Sequence, residues 1–233
     1  MAARSADPAE RSRAIESIAA AYWKPIYKYS RMKWNMSAED AADFTQDFFT
    51  RLLEKEFLDS YDSGKGRLRT FLRTCADRLF MNQMRDAQRI KRGAGSLHLS
   101  LDIEEAEQEL ATVLASWASE SPEDRFEKEW VRSLFALGVE RLRSSCLSGG
   151  KMIHFALFER YDLEEADPRP SYAQLAAEFG LPATDVTNYL AFARREFRKC
   201  VLEQLREMTA TEEEFRREAQ ALLGVEGMGV KDK

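Results

Sequence analysis

The chain has 233 residues, enough for one large domain or two small ones. Hydrophobic residues at 44% can fill a core and charged residues at 32% solvate a surface, which makes the chain soluble and globular in composition. The net charge of -5 argues only weakly against a nucleic-acid partner, because phosphate is bound by a local cluster that opposite charges elsewhere hide in the sum.

The three cysteines, Cys75, Cys146 and Cys200, are odd in number, widely spaced and distant from His98 and His154, so neither a zinc site nor a disulfide framework is expected. Unpaired thiols suit a reducing compartment. The segment MAARSADPAERSR has no apolar core of a leader, and no run approaches the ~18 apolar residues of a membrane span. The expectation is a cytoplasmic protein without metal, cofactor or membrane contact.

Apolar residues recur at spacings of three and four, with Pro and Gly sparse between them, so the predicted fold is all-α. A first helix spans about Ser12 to Trp34, with Ile15, Ile18, Ala19, Tyr22, Ile26 and Tyr29 on one side and a kink or break expected at Pro25. Ser37 caps a second helix reaching about Lys55, with Asp40 three residues on. After a loop from Phe57 to Gly66, a third helix spans about Arg67 to Arg92 and ends at Gly93 and Gly95. A strongly acidic stretch follows (Asp102, Glu104, Glu105, Glu107, Glu109), inside a linker predicted at 93–121. Further helices are predicted over Phe126–Leu142, Lys151–Tyr161, Tyr172–Phe179, Ala183–Met208 and Glu212–Leu223. Those bearing Trp130, Leu134, Leu137, Phe155 and Phe158 are expected to form a platform beneath the pair Tyr172–Phe179 and Ala183–Met208.

Between Lys65 and Arg92 stand nine basic residues: Lys65, Arg67, Arg69, Arg73, Arg78, Arg85, Arg89, Lys91 and Arg92. Only Asp77 and Asp86 oppose them. At ~100° per residue, Arg67, Arg78, Arg85 and Arg89 fall within about 40° of one another, beside a buried face of Leu68, Phe71, Leu72, Cys75 and Leu79. Such a row suits a phosphate backbone, because each neutralised phosphate releases a counterion. Asn82, Gln83 and Gln88 offer amides for base edges; Phe80, Met81 and Met84 offer a surface for an unstacked base.

The segment SYAQLAAEFGLPATDVTNYLAFARREFRK has the spacing of a helix–turn–helix. Ser171 caps its first helix, Leu175 and Ala176 face inward, Gly180 supplies the turn, and Leu181, Val186 and Leu190 pin the second helix.

These segments resemble the sigma-70 family of RNA polymerase sigma factors, in particular the extracytoplasmic-function (ECF) group, in both regions and in their order. SAEDAADFTQDFFTRLLEKEFL is similar to region 2.2, GKGRLRTFLRTCADRLFMNQMRDAQRIKRGAG to regions 2.3 and 2.4, AYWKPIYKYSR to region 2.1, and the helix–turn–helix to region 4.2. The resemblance implies a region 2 domain at 12–92, a region 4-like domain at 122–208 with its helix–turn–helix at 171–199, and a C-terminal helix and tail at 209–233. It implies that Asp40, Asp43, Gln46, Asp47 and Thr50 meet the β′ clamp of core RNA polymerase while Phe44, Phe48 and Leu52 pack inward. Lys65, Arg67, Arg69, Arg73, Arg78, Asn82, Arg85, Arg89, Lys91 and Arg92 would then capture the −10 strand. Ser171, Tyr172, Thr184, Thr187, Asn188, Tyr189, Arg194, Arg195, Arg198 and Lys199 would meet the −35 element, near the β flap. The protein would be an initiation subunit and no enzyme.

Two features depart from the family pattern. Asp40-Ala41-Ala42-Asp43 lacks the middle acid of the usual D-A-E-D. Thr45 and Thr50 lie nearby, and helical spacing places Thr50 with Asp43, Gln46 and Asp47. Phosphorylation there by a Ser/Thr kinase would restore negative charge, as some relatives lacking the motif require; an ordinary Ala and ordinary helix threonines explain the residues equally. Second, the start of the recognition helix is poor in cations, and Arg194, Arg195, Arg198 and Lys199 arrive late, which suits phosphates better than bases. Asn188 could pair with adenine and Thr187 with a thymine methyl. An anti-sigma factor is an alternative means of control, and the acidic stretch has the charge to mimic nucleic acid in the polymerase channel. A helix–turn–helix regulator, or a protein that only sequesters polymerase, uses part of the same features.

Overall fold

The computed structural model describes residues 8–54, 57–86, 101–113 and 120–224. Among these, every regular element is helical: α1 (Pro8–Lys33), α2 (Ala38–Glu54), α3 (Leu68–Asp86), α4 (Ile103–Val113), α5 (Pro122–Ser148), α6 (Met152–Phe158), α7 (Tyr172–Phe179), α8 (Ala183–Met208) and α9 (Glu212–Leu223). The all-α expectation holds. Helix α1 runs through Pro25 as one element instead of breaking there. The chain divides into two compact units, one of residues up to Ser133 together with those from Leu205 onward, the other Leu134–Gln204.

In the first unit the predicted face of α1 is buried throughout: Ile15, Ile18, Ala19, Tyr22, Ile26 and Tyr29 are all 7% exposed or less. Phe44, Phe48 and Leu52 of α2 and Leu68, Leu72, Cys75 and Leu79 of α3 complete the core. Ser37 caps α2, its hydroxyl oxygen accepting from the Asp40 amide at 3.0 Å. Trp34 stacks flat on Phe80, with ring centres 4.1 Å apart, and meets Phe44 edge-on. Trp130, expected in a platform beneath the helices Tyr172–Phe179 and Ala183–Met208, lies against Tyr22 and under the Arg69 guanidinium, 4.4 Å from its ring centre.

Helix α4 forms inside the stretch read as a linker. Ala106 packs with Tyr27 and Ala41, and Ile103 and Ala42 lie against that cluster. The acids flanking this apolar contact meet the cations of α1. Lys24 bridges Glu105 and Glu109 at 2.8 and 2.7 Å, Arg31 holds Glu107 at 2.7 Å, and Lys28 reaches Glu109 and Glu129 at 2.6 Å each. Three of the five acids of 102–109 are thus paired within the fold. Arg31 holds the Glu107 carboxyl below its ordinary range; at Glu109 burial pushes upward, but hydrogen bonds from Lys24 and Lys28 outweigh it.

The second unit has two apolar clusters. Leu142, Cys146, Phe155, Phe158, Ala193 and Cys200 form one; Leu157, Leu175, Ala176, Val186 and Leu190 form the other. Gly138 allows α5 to approach α8, since a Cβ there would stand 2.5 Å from Val201 Cγ2. Helix α7 begins with a capping box, Gln174 and Ser171 bonding each other's backbone amides, and ends at Gly180, whose φ of 65° is the left-handed conformation glycine adopts freely.

Candidate functional site

The exposed face of α2 is acidic at its start. Glu39, Asp40 and Asp43 are exposed and Gln46 and Asp47 half-buried. Asp47 is already engaged: its carboxylate accepts from Arg51 Nε at 2.9 and 3.0 Å and from Gln83 Nε2 at 2.8 Å. The two threonines lie elsewhere. Thr45 is fully buried and donates to the Ala41 carbonyl at 2.7 Å; Thr50 is 6% exposed and its hydroxyl has no partner among the described residues. Thr50 therefore does not join a polymerase-facing surface, and neither hydroxyl is open to a kinase in this structure. Helical spacing gives the angle of a residue but not what covers it, and the stripe that is open at Asp43 is closed seven residues on. Ala42, where the family pattern has an acid, is half-buried toward α4.

The cations of α3 separate into two groups. Arg69 is 5% exposed, ion-paired with Glu127 and, at 2.7 Å, with Glu218; it belongs to the core and not to a DNA surface. Arg67 is partly covered and lies 3.4 Å from Glu218. Arg73 is half-buried, and Lys65 is largely exposed beside Asp62. Arg78, Asn82 and Arg85 are exposed, and Met81 and Met84 stand out at 53% and 59%. Arg78, Met81, Asn82 and Arg85 recur at three- and four-residue steps, so they form one stripe of two guanidiniums, an amide and a thioether. Phe80 is absent from it because its ring faces Trp34. Gln88, Arg89, Lys91 and Arg92 lie outside the described residues.

On α8, Thr184, Thr187, Asn188, Arg195, Arg198 and Lys199 are exposed, as is Ser171 ahead of α7. Three expected contacts are occupied within the unit. Arg194 is held by Asp162 at 2.8 and 2.9 Å, Tyr189 stacks on His154 at 4.0 Å, and Tyr172 lies edge-on to Tyr161. Burial, then the Lys151 charge, pushes the His154 imidazole below its usual value.

Among the described residues no group of three His, Cys, Asp or Glu side chains is placed to hold a metal, and no helix is long and apolar enough to cross a membrane. The three cysteines are free and buried, and burial pushes the Cys75 thiol up to about 11. Sequence reasoning missed the buried acids of α9, Glu218, which meets Arg69 and Arg67, and Glu214, which accepts from the Tyr61 hydroxyl. Their signal was present: on α9 they share a face with Phe215 and Ala219, where a solvated acid does not belong.

Residues 19–90 match the family model for sigma-70 region 2, spanning most of α1 and all of α2 and α3. This stretch of the chain is similar to sigma-70 region 2, which supports a sigma factor role. No curated protein and no solved structure matches the chain.

Proposed function

We propose that the whole chain is a sigma factor of the ECF kind. On this reading it docks on the β′ clamp of core RNA polymerase through Asp40, Asp43 and Asp47 of α2, and captures the −10 strand on Arg78, Met81, Asn82 and Arg85 of α3. Helices α7 and α8 act as a helix–turn–helix of region 4 type within 122–208, facing the −35 element and the β flap. There Thr187 and Asn188 meet bases while Arg195, Arg198 and Lys199 meet phosphates. The protein works by binding, without catalysis or cofactor, in the compartment that holds polymerase and promoter DNA, the cytoplasm. Control by an anti-sigma factor fits the exposed acids of α2 better than threonine phosphorylation does.

The observation that carries this reading is that Asp47 of α2 and Gln83 of α3 are hydrogen-bonded inside the segment matched to sigma-70 region 2, on the two helices that bear the exposed acids and the exposed arginines. Run-off transcription tests it, with purified core polymerase free of other sigma factors and fragmented genomic DNA. Discrete start sites that require the protein are expected. Core binding without transcripts would identify a sequestering protein; operator binding without core binding would identify a conventional regulator.

A further inference from the structure

We propose that α9 is an internal competitor for nucleic-acid phosphate at the cations that lead into α3. Glu214 and Glu218 sit one helical turn apart on the buried face of α9, at 1% and 4% exposure, flanked by Phe215 and Ala219. Glu218 accepts from Arg69 Nη1 at 2.7 Å, and its second oxygen lies 3.4 Å from Arg67 Nε. Glu214 accepts from the Tyr61 hydroxyl, which is also 3.0 Å from the Gly66 carbonyl. Arg217 donates to the Ser63 carbonyl at 3.3 Å. The helix thus grips the turn from Tyr61 to Arg69, the entry of the basic helix, by its own acids.

A carboxylate shared between two guanidiniums presents the charge and acceptors that a backbone phosphate would present there. Arg69 is also held by Glu127 and Trp130 and stays in the core whatever α9 does. Arg67 differs: its side chain is 41% exposed, so loss of the Glu218 charge leaves it available to solvent anions. With α9 in place, the arginine stripe starts at Arg78. Without the Glu218 charge, it extends by Arg67.

The inference rests on the proposed nucleic-acid reading of α3, and its test separates the two. Affinity of the full chain for a short single-stranded oligonucleotide of mixed sequence is measured against salt, for the unaltered protein, Glu218→Gln, Arg67→Ala and the double variant. Each is checked by circular dichroism and thermal melting. Glu218→Gln keeps the shape and an acceptor but removes the charge. One freed phosphate contact steepens the log–log salt slope by about 0.7 and tightens binding roughly five-fold at ~0.1 M salt. Arg67→Ala alone should change little, because Arg67 is masked, and in the double variant it should abolish the gain. Equal slopes for the unaltered protein and Glu218→Gln would overturn the proposal and leave the strand-capture reading intact. Weaker binding with a lowered melting temperature would show α9 to be purely structural, again overturning it. Absence of oligonucleotide binding in all four proteins would remove both.

Discussion

The Asp47 carboxylate on α2 accepts a hydrogen bond from the Gln83 side-chain amide on α3 at 2.8 Å while also holding Arg51. One carboxylate therefore ties the helix proposed to face polymerase to the helix proposed to capture the strand. A partner cation that draws Asp47 away releases Gln83, and by linkage a strand that engages Gln83 alters Asp47. A double-mutant cycle with Asp47→Ala and Gln83→Ala, read as core-polymerase affinity with and without a −10 oligonucleotide, should give a coupling of about 0.5–1.5 kcal/mol. A value indistinguishable from zero would reduce the bond to a structural tie.

Arg78 and Arg85 should behave unlike Arg69. Alanine at either exposed position is expected to weaken oligonucleotide binding and to lower the salt slope by about 0.7. Unfolding free energy should stay within roughly 0.5 kcal/mol of the unaltered chain. Arg69→Ala removes the cation that Glu127 and Glu218 share in a covered site, leaving Glu218 only Arg67, and should cost about 3–5 kcal/mol in urea denaturation. Comparable destabilisation by all three substitutions would contradict this division of the cations.

Thr50 provides a sharp contrast between two substitutions. Valine replaces a buried hydroxyl that has no partner among the described residues with a methyl of similar size, so melting should hold or rise slightly. Aspartate, the usual phosphate mimic, puts an unpaired charge in the same place and should destabilise by several kcal/mol. Robust folding and increased transcription with aspartate would restore phosphorylation as the mode of control.

The contact between α4 and α1 should be acid-sensitive. Glu107 and Glu109 titrate below the ordinary carboxylate range when folded. Their contribution is present above the unfolded value near ~4.3 and disappears as pH falls through the folded values. Trp23 packs against the Tyr27–Ala41–Ala106 cluster and reports on α4. Its emission should be constant from neutral pH to about 5 and shift to the red below about 4. An unchanged spectrum into that range would show that the acids of α4 do not hold it in place.

Much of this architecture was legible in the sequence. Three- and four-residue spacing identified the buried face of α1 residue by residue, and the Ser171, Gly180 and Val186 pattern fixed α7, its turn and the start of α8. Helical angles failed where burial depends on a distant partner. Arg69 and Arg78 look alike in the basic row, yet α5 and α9 cover the first and leave the second open. Thr50 shares its angle with Asp43 but not its exposure. The acidic run near Glu107 reads as a solvated linker because the lysines and arginine it meets lie some 76 to 85 residues earlier in the chain.

Lys28 has a consequence for how the molecule is made. Its ammonium is wholly enclosed and shared by Glu109 and Glu129, 81 and 101 residues further on. During synthesis α1 leaves the ribosome long before either acid exists, and Arg69 waits longer still for Glu218. The full set of ion pairs on Lys28 and Arg69 is therefore complete only once α5 and α9 have been made. A fragment trimmed to residue 90 would leave Lys28 and Arg69 without these acids and should melt below the same residues in the longer polypeptide.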